Sequence, residues 1–177
     1  MIMGPVTENM GAAANKTYDA IPEPKARQIG ALMEYRHMDL GEMEKLLHEQ
    51  RLARIAFSNN GNMYIIPLGY VWADGELLIM TSAGQKTDMA AHSPHVAFQV
   101  DDFPQTGMLG WSSVSGEGDW HVVDDEAGKG RVAGAVMSRF GDLGNWINQH
   151  PAARPGPPMV FVRIKPRWMT GRAFPNG

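Results

Sequence analysis

A chain of 177 residues, 44 % hydrophobic and 20 % charged, suits one compact domain with an ordinary apolar core and lies far from the composition of disorder. Its formal net charge of -3 gives no broad attraction to nucleic acid or anionic lipid, so any anion it binds must be caught locally. With no cysteine, disulfides, thiolate catalysis, iron-sulfur ligation and cysteine zinc sites are excluded, and redox chemistry needs a borrowed cofactor.

Met1 to Lys16 lacks the basic start and apolar core of a signal peptide, and no later stretch is long and apolar enough to span a bilayer, so a cytoplasmic location is expected. Residues 1–35 mix Gly, Ala, Asn and Pro with little periodicity, and Pro22 and Pro24 interrupt any helix. They read as an extended N-terminal arm, with 36–177 as the single domain. Asp39 can cap a helix whose third position is Glu42, placing Leu40, Met43 and Leu47 on one face.

Strand signals follow at close spacing. Ala53, Ile55 and Phe57 alternate, Asn59-Asn60-Gly61-Asn62 turns, and Met63 to Trp72 is rich in β-branched and aromatic residues. Asp74-Gly75 is a second tight turn into Glu76 to Thr81, which predicts three strands in an antiparallel meander, with Pro67 at an edge or bulge. Thr87 to His92 can form a short helix stopped by Pro94, and strand residues resume from His95 to Asp101. A further strand region runs from Met108 to Val123, where Gly116 and Gly118 suggest a bulge. Asp124 or Asp125 can cap a helix reaching about Phe140, a second short helix covers Leu143 to Gln149, Pro151 to Pro158 connects, and Met159 to Arg167 is the last strand. Six strand regions joined mostly by short turns predict a mainly β fold with flanking short helices, a closed or half-closed antiparallel barrel.

The segment Thr81 to Lys86 carries the clearest chemistry. It leaves a strand, supplies the hydroxyls of Thr81 and Ser82, a glycine that permits close backbone approach, and Lys86, and then opens a helix whose free N–H groups point back at the loop. Dipole, hydroxyl and ammonium together suit a phosphomonoester; a plain strand-to-helix turn with a solvated lysine is the alternative.

The order helix, ARIAFSNNGNMYIIPLGYVWADGELLIMTSAGQK, a helix stopped by HSP, HVAFQV, then GWSSVSGEG resembles the pyridoxamine-phosphate-oxidase-like, FMN-binding split barrels, nearest the nitroimidazole-resistance branch. It covers about Met38 to Val123, with weaker agreement around the terminal TGRA. The resemblance implies a six-stranded split barrel, a homodimer with flavin at the subunit interface, and a flavin-dependent oxidoreductase acting on a small molecule. It implies ring-side contacts from Ile66, Pro67, Leu68 and Gly69, a phosphate held by Thr81, Ser82, Gln85 and Lys86, and a nearby approach by Trp111, Ser112 and Ser113. Some nitroimidazole-resistance relatives carry a histidine where Thr81 stands, so chemistry assigned to that histidine does not transfer. The oxidases proper end in an Arg-Leu-His-Asp-Arg type segment that grips substrate and flavin; this chain ends RWMTGRAFPNG, so activity on vitamin B6 phosphates is not implied. No catalytic acid or base and no metal site is indicated. Relatives of the same fold that bind deazaflavin, FAD or haem, and a non-catalytic flavin carrier, are the alternatives; haem would need His92, His95 or His121 as axial ligand.

The remaining candidates have plainer readings. Gly128-Lys129-Gly130-Arg131-Val132-Ala133 fits the dinucleotide fingerprint as a string, but no βαβ unit surrounds it and Asp124-Asp125-Glu126 would repel a pyrophosphate. His92 and His95 flank Pro94 with no third ligand near in sequence.

Overall fold

The computed structural model describes residues 35–104, 110–142, 145, 149 and 156–174. Eight strands and three longer helices follow in the order β1 (Arg36–His37), α1 (Leu40–Glu49), β2 (Leu52–Asn59), β3 (Asn62–Gly69), β4 (Val71–Ala73), β5 (Glu76–Ser82), α2 (Gln85–His92), β6 (His95–Asp102), β7 (Ser112–Val122), α3 (Glu126–Arg139) and β8 (Met159–Ala173). The strands form one antiparallel sheet in the order β3-β2-β6-β7-β8-β5-β4, with β1 added to β8, curled into a half-barrel. The six longer strands are the six expected, and the split-barrel architecture holds. Residues 1–34 of the expected arm, the expected start of the strand region at Met108, most of the expected helix from Leu143 to Gln149 and the first part of the connector from Pro151 to Pro158 lie outside the described residues.

Alternation decides which face of each strand is covered. Ala53, Ile55 and Phe57 of β2, Val96, Phe98 and Val100 of β6, and Val162 and Ile164 of β8 point into one core, where α1 adds Leu46 and Leu47 and α2 adds Met89 and Ala90. Beneath α3 a second cluster joins Leu78, Val123, Val132 and Val136. β5 is therefore apolar on both faces, with Leu77 and Ile79 on the main core and Leu78 under α3.

The capping box at Asp39 forms as expected: the Glu42 N–H donates to Asp39 Oδ1 at 2.8 Å and the Asp39 N–H donates to Glu42 Oε2 at 3.0 Å. The buried face of α1 differs, however. Leu46 and Leu47 are buried with Met43 packed beside them, and Leu40 is exposed. Asn60 and Gly61 both have positive φ, as do Asp74 and Gly75, the geometry of two-residue turns matched to strand twist.

The predicted meander is corrected. The run Met63 to Trp72 breaks at Tyr70 into two strands at opposite ends of the sheet: β3 pairs with β2, while β4 pairs with β5, and β5 goes on to pair with β8. Tyr70 is fully buried, its N–H donates to the Arg51 carbonyl, and its hydroxyl donates to the Leu47 carbonyl at 2.8 Å. Pro67 lies in β3, which pairs only with β2, so its missing donor costs no ladder bond. The expected bulge is present: the register of β7 on β8 slips between Glu117 and Gly118. Gly116 and Gly118 are required there, since a Cβ would come within 2.6 Å of the Trp168 and Lys165 carbonyl oxygens respectively. The last strand continues six residues beyond Arg167, to Ala173, bringing TGRA into the sheet opposite the start of β7.

Candidate functional site

β5 delivers Thr81, buried on the core side, and Ser82, half-buried on the other. The chain then turns at Gly84, whose φ of 153° and ψ of -161° belong to a region open essentially to glycine alone. Thr87 fixes the turn, its hydroxyl accepting from the Gly84 N–H at 2.9 Å and donating to the Gly84 carbonyl at 2.6 Å. The N–H groups of Gln85 and Lys86 open α2 and have no intrahelical acceptor. Helix α2 begins two residues earlier than the sequence suggested, which places both in its first turn.

Lys86 is 8 % exposed, and no ion pair or side-chain hydrogen bond from it is formed among the described residues. Its aliphatic stem is packed away, and the ammonium at its tip is left free for an anion. The only carboxylate on its own helix, Asp88, is exposed. The free amides of Gln85 and Lys86, the Ser82 hydroxyl and the unpaired Lys86 ammonium lie within one short stretch of chain, a donor set that suits an anion.

The other two sets of expected residues lie elsewhere. On β3, Ile66 and Leu68 pack against the main core while Pro67 and Gly69 are exposed; β3 and β5 are in contact, so this segment neighbours the strand that leads into the loop. Trp111 stacks on Phe174 with ring centroids 6.0 Å apart and planes 21° off parallel. Ser112 and Ser113 open β7 opposite Asp102 and Asp101 on one side and Ala173 and Arg172 on the other. Thr81 pairs with Val160 near the start of β8, and Ser112 pairs with Ala173 at its end. Those two positions are separated by about 40 Å of strand at ~3.3 Å per residue. The single chain brings the loop residues together, sets β3 near β5, and leaves Trp111 to Ser113 apart.

Around Trp111 and Ser113 a groove of about 830 Å³ opens on the outer face of the sheet, with Arg54, Gln99, Asp101 and Arg172 among its walls. Arg54 pairs with Asp101, Gln99 Nε2 donates to Ser113 Oγ at 3.3 Å, and the Arg172 guanidinium lies 4.5 Å from the Tyr35 ring centroid. These groove residues were not anticipated. Their signal, polar residues at alternate positions of strands otherwise apolar, is visible in β2, β6 and β8, but which strands are neighbours is not.

Gly128 to Ala133 lies within α3, the Gly128 N–H donates to the capping Asp125 at 2.8 Å, and a Cβ on Gly128 would sit 2.4 Å from Val123 Cγ1. His92 faces the Asp88 carbonyl at 2.8 Å and His95 faces Glu117 at 3.2 Å. No cluster of three metal-ligating side chains occurs among the described residues. His92, His95 and His121 are all exposed, so none projects into the core. Trp120 is core, edge-on to Phe57 at 5.1 Å, and its indole N–H lacks a partner. No helix among the described residues is long and apolar enough to cross a membrane.

Comparison with known proteins agrees with this architecture. An FAD-binding protein from Mesorhizobium loti is 28 % identical, with a TM-score of 0.66 over 79 % of this chain and 96 % of that one. A candidate 5-nitroimidazole antibiotic resistance protein from Bacteroides thetaiotaomicron is 14 % identical, with a TM-score of 0.60 over 79 % and 87 %. An FAD- and haem-binding protein from Mycobacterium smegmatis is 15 % identical, with a TM-score of 0.57 over 81 % and 76 %; the last two likenesses speak for the fold alone. No curated protein matches the chain. The sequence profile of the pyridoxamine 5'-phosphate oxidase family matches residues 39–173, from the capping aspartate of α1 to the end of β8, and on that match over most of its length the chain belongs to this family.

Proposed function

We propose that the chain is a flavin-binding oxidoreductase that works as a homodimer, with the flavin phosphate on the Thr81 to Lys86 loop and the ring along Ile66 to Gly69. The observation that carries this reading is Lys86, 8 % exposed and in no ion pair among the described residues, beside two free amides at the start of α2. The Mesorhizobium loti likeness supports a flavin. The loop's compactness favours a single phosphomonoester, hence FMN, with FAD as the second reading because that relative is named as FAD-binding. Haem is disfavoured, since the three candidate histidines are exposed.

A dimer follows from the separation of the site residues. Trp111, Ser112 and Ser113 are remote from the loop in one chain, so a second copy is the means of bringing them to it. The outer face of the sheet suits such a partner: Ile65 is 63 % exposed and Trp168 49 % exposed, and with Ala56, Ala97 and Phe98 they line a shallow depression.

When bound, the flavin supplies reversible electron uptake. The chain's part is to neutralise its phosphate at Lys86, to present backbone and small side chains along β3, and to exclude water by the partner's cover. An absorbance scan of purified protein with mass identification of the chromophore released by heat should give a flavin spectrum and FMN. A colourless protein that takes up neither FMN nor FAD would refute the proposal. Turnover of a reduced nicotinamide with nitro compounds or quinones separates an enzyme from a carrier.

A further inference from the structure

Away from the loop, the outer face of β7 and β8 carries a groove of about 390 Å³ walled by His121, Arg163, Lys165 and Arg167, with Asp119 as its one carboxylate. We propose that this groove is a second anion site, built for the phosphate or diphosphate group of a small molecule. On a chain whose net charge is -3, three permanent cations against Asp119 in the groove and Glu76 behind Arg163 leave the local charge positive, and in a concavity the field is focused.

The cations are held in place. Arg163 is fixed by Glu76 at 3.0 Å, a carboxylate whose side chain is 8 % exposed. The Arg167 fork bonds both Asp119 oxygens, at 2.9 and 2.8 Å. Guanidinium groups oriented in advance lose little freedom when an anion arrives, and their remaining N–H groups are donors. Lys165 makes no ion pair among the described residues and is the cation left for a ligand. The β-bulge makes the arrangement possible: with Glu117 opposite Trp168 and Gly118 opposite Pro166, Arg167 has no cross-strand partner, and its side chain turns to Asp119. Gly118 permits the bulge, since a Cβ there would lie 2.6 Å from the Lys165 carbonyl oxygen. The groove is distinct from the Lys86 loop. Phe161 and Met80, packed under α3, occupy the outer face of β8 and β5 between the two.

The test is calorimetric titration of inorganic pyrophosphate into the full-length protein at low ionic strength, with folding of each variant checked by circular dichroism. Saturable binding that Lys165→Ala weakens about tenfold, that high salt weakens further, and that Lys45→Ala leaves unchanged is the expected result, with any uptake by the loop a separate phase that Lys86→Ala removes. Lys45→Ala removes the same charge at an exposed position elsewhere. No saturable binding, equal loss in Lys45→Ala, or binding that Lys86→Ala abolishes and Lys165→Ala leaves unaffected overturns the proposal. Displacement of pyrophosphate by a nicotinamide dinucleotide assigns the groove to a second nucleotide's diphosphate and upholds the site.

Discussion

Lys86 concentrates the chemistry of the loop in one side chain. Each charge-assisted bond contributes roughly 1.5–3 kcal/mol net, so Lys86→Ala is expected to weaken flavin binding by about ten- to a hundredfold without loss of the fold; titration of the apoprotein followed by flavin fluorescence measures it, and unchanged affinity removes Lys86 from the site. Gly118 makes a contrasting case, in which the residue matters for what it lacks. Gly118→Ala forces a methyl against the Lys165 carbonyl, and overpacking against backbone costs about 1–3 kcal/mol; thermal denaturation should show a lowered midpoint, and an unaltered one would mean the bulge relaxes freely. Glu42 offers a titration. The Arg36 guanidinium, bonded to both carboxylate oxygens at 2.7 Å, and the Asp39 N–H bring its carboxyl down to about 2. Because the folded value is depressed, the contribution is complete above the ordinary carboxylate range near 4.5 and is lost as pH falls from there through 2. Carboxyl-carbon NMR should find Glu42 titrating well below the ordinary carboxylate range, and Arg36→Ala should move it back up.

At the scale of the element, α1 is held at both ends. Its N-terminus is closed by the Asp39 and Glu42 box, and its last-turn carbonyls are taken by other elements. Arg139, at the end of α3, donates to His48 and Glu49 carbonyls at 2.6 and 2.8 Å, and Tyr70 donates to Leu47. Asp39→Ala is expected to cost about 1 kcal/mol, readable as a lower denaturant midpoint with an unchanged slope. Burial raises the Tyr70 phenol well above its usual range, so it stays a donor throughout the working pH range. The same residue explains the failed meander. Local pattern reads Met63 to Trp72 as one strand because every residue in it tolerates extended backbone. Tyr70 ends the pairing with β2 by turning into the core, and Val71 to Ala73 then find β5 instead.

For the whole molecule, the proposed dimer makes cofactor binding and assembly one equilibrium. A charge on the exposed outer face, Ile65→Lys, should shift the protein toward the monomer in light scattering and weaken flavin binding with it, while the monomer stays folded because Ile65 lies outside the core. A variant that is monomeric yet binds flavin as tightly as the parent would separate the two and refute a shared site.

Several features were legible in the sequence because they depend on neighbours a few positions apart. The Asp39 cap, the turns at Asn60-Gly61 and Asp74-Gly75, the alternation of Ala53, Ile55 and Phe57, and the strand-to-helix loop ending at Lys86 are all set by local backbone preference and periodicity. Strand order, the splitting of the run at Tyr70, the exposure of Leu40 and the extension of β8 through TGRA were decided only in three dimensions, because pairing between distant strands depends on which edges remain free once the core has closed. For the same reason the distance between the Lys86 loop and Trp111 could not be read from the chain: it is fixed by the length of β8, a strand on which both ends are occupied by different partners.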